Sequence, residues 1–333
     1  VPFVKVDSVN PVLSAGTGKF FCPIVQDTVL WEAKDVFNPA AVVHENKVYI
    51  LYRAEDRIGK HAGTSRIGLA ESTDGLHFVR QALPVLYPDR DSLLQYEWEG
   101  GIEDPRVVQA PEGHYVMTYT AYDGSTARLM VATSANLRQW QKHGPVLRGA
   151  FRNIWSKSGA IVAKQQGNSI IAEKINGKYW MYFGDTNLYI AYSDNLTVWE
   201  PVTDEDGQLK PVMRPRPGYF DSRLVEPGPY ALVRPQGIVL FYNSMNLDEG
   251  GDKKLPPGSY AAGQALFSLH QPEVLIDRSE QPFMVPDRPY ELTGQVNQVC
   301  FIEGLVYFRN RWFMYYGTAD SHIAVAVYDP LAQ

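Results

Sequence analysis

Cysteine is almost missing from this chain: its 333 residues include only Cys22 and Cys300. Two cysteines build neither a disulfide framework nor a thiolate zinc cluster, which leaves one bridge at most. Long apolar runs are missing as well, and nothing approaches the roughly 20 consecutive residues of a membrane-spanning helix. Basic charge is not in excess. With 31 Lys and Arg against 37 Asp and Glu the net charge is −6, which argues against a surface that grips nucleic-acid phosphates. No long amphipathic helix is legible in the pattern. The sequence starts at Val1 rather than at a methionine, which fits an exported, periplasmic protein whose signal peptide has been removed.

What the chain does have is aromatic and strand-forming residues: 12% are Phe, Trp or Tyr, with 20 Tyr and 7 Trp. Such a composition suits β proteins and sugar sites. The densest chemistry lies in Gly101-Ile102-Glu103-Asp104-Pro105-Arg106, two carboxylates and a guanidinium just before the apolar pair Val107-Val108. Proline disfavours the α conformation at the residue before it, so Asp104 is expected to be extended at the mouth of a strand. A rigid carboxylate beside an arginine suits acid/base work or the binding of hydroxyls. In isolation it is more often a turn with a local ion pair.

Internal repeats decide the fold. Five segments share an alternating small/apolar pattern: 67–70, 129–132, 188–191, 263–266 and 323–326. Three continue alike, as Ser72-Thr73-Asp74-Gly75, Ser134-Ala135-Asn136-Leu137 and Ser193-Asp194-Asn195-Leu196. The spacing is roughly 60 residues and stretches to about 75 before the fourth copy, near the range of long propeller repeats. Each copy follows two more strand patterns. The middle ones are 47–53, 114–120, 178–183, 237–242 and 311–316; the inner ones are 39–43, 105–108, 159–163, 229–233 and 299–302. The expected fold class is all-β, a single five-bladed β-propeller over 1–333, with a two-sheet sandwich as the weaker alternative. The middle strands end in an aromatic followed four residues on by Asp or Asn, as in Tyr52/Asp56 and Tyr316/Asp320. In equivalent blades these ends and the starts of the inner strands ring one end of the axial channel. Asn38, Asp104, Lys157, Ser158 and Glu226 stand at such starts, and Arg53 and the Asp320-Ser321-His322 group lie on neighbouring connections. Loop ends are rich in Asp and Asn for turn reasons alone, which explains the five terminal Asp/Asn positions without any ligand.

With these residues in view, the chain resembles glycoside hydrolase family 130, the β-mannoside phosphorylases and mannosidases. The resemblance runs through Asn38-Pro39-Ala40, Ser65-Arg66-Ile67-Gly68, Gly101–Arg106, Glu173–Tyr179, Tyr290-Glu291 and Tyr315–Asp320. It implies a five-bladed propeller and a mannoside oligosaccharide as substrate, and neither a cofactor nor a metal. Asp104 is then the catalytic acid, acting through the 3-hydroxyl of the bound mannose, and Asn38, Arg53, Arg106 and Asp320 bind that mannose. Asp56, Tyr122, Lys157, Asp185, Asn243 and His322 complete the candidate substrate-binding set. Phosphorylases of the family carry Lys-(Ile/Val)-Gly at the fourth inner strand, where this chain reads Leu224-Val225-Glu226. They carry a histidine where Asn243 stands and an arginine after the third middle strand, where this chain reads Phe183-Gly184-Asp185. Phosphate needs cations and donors, whereas water needs a carboxylate to take its proton. The expected activity is therefore inverting hydrolysis of β-1,2-linked mannosides, with Asp104 as acid and Glu226 as base, and Asp185 or Glu249 as an assisting carboxylate. Phosphorolysis to α-mannose 1-phosphate is the alternative, and a non-catalytic sugar-binding propeller is a more distant one. The segment 246–259 is expected to shape the leaving-group side, and Arg216 with Tyr219 either does the same or lies in a stiff proline-rich connection between blades.

Overall fold

The computed structural model describes residues 3–60 and 63–331, and the regular structure among them is almost wholly strand. Helix is confined to Leu94–Glu97, Pro289–Leu292 and a 3-10 turn at Gly149–Phe151. The protein is all-β.

Apart from the hairpin of Lys19–Cys22 and Asp27–Leu30, the strands form five antiparallel four-stranded units in chain order. Unit one runs Asp35–His44, Lys47–Glu55, Ser65–Ser72 and Val79–Arg80. Unit two runs Gly101–Gln109, Tyr115–Tyr122, Ala127–Ser134 and Gln141–Pro145. Unit three has Ala160–Gln166, Tyr179–Phe183, Tyr189–Ser193 and Glu200–Pro201, with Ser169–Ala172 added beside its first strand. In unit four the first strand is broken into Leu224–Pro227 and Ala231–Arg234, both paired to Gly237–Met245 and followed by Tyr260–Phe267 and Leu275–Arg278. Unit five consists of Cys300–Phe308, Arg311–Thr318 and His322–Tyr328, and takes its fourth strand, Val4–Lys5, from the other end of the chain. First strands or the additions beside them meet across units, with Val162 beside Ala231 and Ile171 beside Gln109 in parallel. Val42, Val107, Ile170 and Val306, from four units, line one narrow apolar cavity between them.

The repeated serine motif is a turn device. Ser72, Ser134 and Ser193 each accept the backbone N–H three residues on, while Asp74, Asn136 and Asn195 accept those two and three residues beyond themselves. The fourth residue is left-handed in all three copies: Gly75 at φ +79°, Leu137 at +65° and Leu196 at +67°. Glycine takes that conformation freely, whereas the two leucines are held in it by burial of their side chains. Cys22 and Cys300 are both buried and unpaired.

Closure rests on a polar anchor. Lys5, carried by the strand that completes unit five, donates to Glu291 at 2.7 Å, Asp287 at 2.6 Å and the Val285 carbonyl at 2.7 Å. Glu291 is wholly buried and also accepts from Tyr316 at 2.9 Å. Removing one partner of a buried ion pair strands the other charge, at a cost of about 3–5 kcal/mol. Lys5→Met is expected to lower unfolding free energy by about that much in urea titration; an unchanged midpoint would show that closure does not depend on this anchor.

Candidate active site

Bulges break the symmetry of the units where the chemistry sits. The first strands of units one, two and five shift register between Phe37 and Pro39, Glu103 and Arg106, and Ile302 and Gly304. Asn38 and Asp104 are left-handed at the first two, with φ +45° and +48°. The extended conformation expected of Asp104 is therefore corrected. A bulge needs one residue out of the β region, and Asp and Asn tolerate the left-handed turn better than other non-glycine residues. Proline owes no ladder hydrogen bond at a bulge, so pairing runs back past Pro39 and Pro105 to Asp35 and Gly101, where the sequence reading began these strands at the prolines. Gly317 completes the arrangement, because a Cβ there would stand 2.1 Å from the Asn38 side-chain oxygen.

Asn38, Arg53, Asp104, Lys157, Glu226 and Asp320 line one cleft of about 130 Å³, walled on its apolar side by Tyr260, Val296, Val299 and Phe301. Asp104 accepts from Asn38 Nδ2 at 3.0 Å and Arg53 Nη1 at 3.2 Å, and Lys157 Nζ stands 3.9 Å from its other oxygen. Arg53 also reaches Glu103 at 3.0 Å and Glu55 at 2.9 Å. Glu226 accepts from the Ser158 hydroxyl. A larger groove of about 510 Å³ beside Phe241 and Trp312 has Arg234 as its lone charged group, so it offers no acid/base pair.

The two carboxyl groups are tuned in opposite directions. Burial disfavours the charged form of Asp104, but Arg53, Lys157 and the Asn38 hydrogen bond outweigh it and hold the group below the usual aspartate range. Burial pushes Glu226 up to about 7, opposed by Lys157 and reinforced by Asp185. Asp320 is also pushed up to about 7 by burial, against the pull of Arg53. Burial works against the ammonium of Lys157, yet Glu226 and Asp104 keep it charged and raise its pKa.

The remaining candidates are placed elsewhere. Asp56 is committed to a buried ion pair with Arg66 and to the Thr64 and Ile58 amides, so it anchors its own loop. Asn243 donates to the Ile302 carbonyl at 2.9 Å and accepts the Ile302 amide at 2.7 Å, tying unit four to unit five. Arg106 is spent on main-chain carbonyls. Each of these corrects a substrate-binding expectation, because the polar atoms are already used inside the protein. Tyr122, Asp185 and His322 stand outside the cleft lining. Asp185 accepts from the Trp155 indole at 2.7 Å, Tyr122 packs edge-on against the same indole, and half-buried His322 faces Asp35. Glu249 is exposed, Arg216 is paired with Asp221 and stacked on Tyr219, and the 246–259 segment is folded around the amide of Asn246. Sequence reasoning missed Tyr260, Phe301 and Glu303. Only Glu303 left a signal, as a charge inside the apolar run Cys300–Phe308.

A sequence profile of the family described as β-1,4-mannooligosaccharide phosphorylase, glycoside hydrolase family 130, matches residues 22–330. The chain belongs to this family. Its members are enzymes acting on β-mannosides, some as phosphorylases and others as hydrolases. A 1,2-β-oligomannan phosphorylase of a Thermoanaerobacter species is 32% identical over 305 residues, 89% of this chain and 90% of that protein. Among solved structures, a glycosyl hydrolase from Bacteroides ovatus is 47% identical with a TM-score of 0.96, over 98% of this chain and 94% of that one. Another, from work on family members that are glycoside hydrolases targeting β-1,2 mannosidic linkages in Candida mannan, is 46% identical with a TM-score of 0.96 and the same coverage.

The raised carboxyl groups link the site to stability. A folded-state pKa near 7 against 4.5 for an ordinary glutamate means that the folded protein holds an extra proton between those values. Stability therefore falls as pH rises through that window. The depressed Asp104 contributes stability already in place above its ordinary value of 3.8 and unchanging across the window. Glu226→Gln is expected to melt about 2 °C or more above the wild type at pH 8 and to show little difference at pH 5. Equal melting temperatures at pH 8 would show that Glu226 is not held against its charge.

Proposed function

We propose that this chain is a five-bladed propeller enzyme, with the five units as blades of a single domain over 1–333, that hydrolyses β-1,2-linked mannooligosaccharides with inversion. The observation that carries the reading is Glu226, a buried carboxylate sharing Lys157 with Asp104 in a cleft that suits one sugar ring. Asp104 supplies the proton that reaches the glycosidic oxygen through the 3-hydroxyl of the mannose, and Glu226 takes a proton from the attacking water. Asn38, Arg53 and Asp320 hold the mannose hydroxyls. Lys157 keeps the two carboxyl groups close without forcing both to protonate. Asp185, whose charge raises Glu226, assists the base.

Phosphorolysis is the second reading, favoured by the family description and by the Thermoanaerobacter relative. Against it stand Leu224-Val225-Glu226, Asn243 and Phe183-Gly184-Asp185 at the positions where phosphorylases place cations. Asn243, moreover, is committed to the Ile302 main chain. A phosphate entering beside Glu226 and Asp185 meets carboxylates, whereas a water is activated by them. The higher identity to solved glycosyl hydrolases supports the same choice. A binding-only propeller needs no carboxylate pair.

Glu226→Gln is expected to abolish release of mannose, and Asp104→Asn to lower turnover about 10²–10⁴-fold with sugar binding retained. The first product from a β-mannoside should be α-mannose by NMR, with no acceleration by phosphate. Mannose 1-phosphate as product would overturn the hydrolase reading and return Glu226 to a rim carboxylate.

The pH profile follows from the inverted tuning. Catalysis needs one proton on the pair, located on Asp104, whereas the free enzyme keeps that proton on Glu226 up to about pH 7. Above that pH the pair loses its proton, so kcat/KM, which reports the free enzyme, should fall as pH rises through about 7. The loss at low pH expected from a titrating base moves down to where Asp104 protonates, below the ordinary aspartate value. A kcat/KM that kept climbing through pH 8 would contradict this proton placement.

A further inference from the structure

We propose that Arg106 is a positioning residue that locks the base-bearing turn of unit four to the acid-bearing bulge of unit two across the axis, and that it is not a ligand of the sugar. The inference rests on the reading of Asp104 and Glu226 as the working pair. Arg106 is 3% exposed, and each of its three guanidinium nitrogens bonds a main-chain carbonyl. Nε donates to the Gly228 carbonyl at 2.6 Å, Nη2 to the Pro227 carbonyl at 2.6 Å, and Nη1 to the Asp104 carbonyl at 3.2 Å. One side chain therefore grips the two peptides that directly follow Glu226 and the peptide of Asp104 itself.

Among the described residues no strand pairing joins unit two to unit four, because unit three lies between them in the order of pairing. The sheets join units two and four only through unit three. Arg106 adds a direct bond between the two. The break in the first strand of unit four at Gly228-Pro229 frees the two carbonyls that the fork takes. Two successive carbonyls suit a planar fork, and a lysine, with one compact ammonium, cannot hold both in fixed directions. Glu303, at the third bulge, places a carboxyl oxygen 3.6 Å from Nη2 and closes off that side of the buried guanidinium. Neither Glu303 oxygen accepts a hydrogen bond from the protein, so Arg106 keeps its donors for the main chain.

Reacting groups displaced by about 1 Å lose on the order of 10²-fold in rate, so a slack brace should appear in turnover. Arg106→Lys and Arg106→Gln in the full chain are to be compared with the wild type on β-1,2-mannobiose for kcat and KM. Both are expected to lose about 10²-fold in kcat with KM held within about threefold. Lysine should fail to restore turnover although it restores charge. A KM raised tenfold or more with kcat retained would make Arg106 a sugar ligand and overturn the inference, as would wild-type turnover in either variant. If neither variant folds, Glu303→Ala, which removes the carboxyl group packed beside Nη2, decides the matter: lower kcat at unchanged KM supports the brace, and a raised KM or no change sinks it. Product analysis separates the two levels. Mannose 1-phosphate from the wild type would end the hydrolase reading, while the split between kcat and KM in the variants still judges the brace.

Discussion

Charge confined in a small volume governs this site. Arg53, Arg106 and Lys157 stand against Glu55, Glu103, Asp104, Glu226, Glu303 and Asp320, with little water to screen them. Not all of these carboxyl groups can be ionised together. Asp104, well supplied with donors, keeps its charge, and those with fewer donors, Glu226, Asp320 and Glu303, are pushed toward the neutral form by burial. The cleft can therefore hold a mobile proton near neutrality, as glycosidic bond cleavage by a pair of carboxyl groups requires.

A repeated fold cannot by itself make such an asymmetric site. The five units share strand order, turn chemistry and a common apolar lining, and a perfect repeat would place five similar residues at the axis. The bulges at Asn38, Asp104 and Glu303 turn three inner-strand side chains out of the strand's alternation, each toward different chemistry. The interruption at Gly228 does the corresponding work in unit four. Strain in the left-handed Asn38 and Asp104 is stored where the surrounding sheets over-determine the backbone.

On the proposed reading, the same site accounts for how one family accommodates two nucleophiles. Exchanging cations for Glu226 and Asp185 alters the charge seen by the incoming group, while the side chains assigned to the mannose, Asn38, Arg53 and Asp320, belong to other units. The nucleophile side and the sugar side are then carried by separate blades of the proposed propeller, and one can change without disturbing the other.

The strand content, the five-fold repeat and the turn motif at Ser72, Ser134 and Ser193 were legible in the sequence, because alternation of apolar residues and Asx hydrogen bonding are local effects. The proposed acid and base, Asp104 and Glu226, were singled out from the sequence, since a carboxylate before proline or before Pro-Gly-Pro is locally conspicuous. What the partners of each polar group are was decided only by tertiary structure. Asp56, Arg106 and Asn243 carry the same functional groups as the residues proposed to hold the sugar, yet each is satisfied within the protein by residues 10, 122 and 59 positions away. The expected extension of Asp104 failed for a related reason: proline's local preference yielded to the register demanded by the neighbouring strand. Tyr260 and Phe301 reach the cleft through long-range folding that no local pattern encodes. Local sequence determines which backbone forms where; only the assembled units determine which charges share a space, and that sharing sets the chemistry.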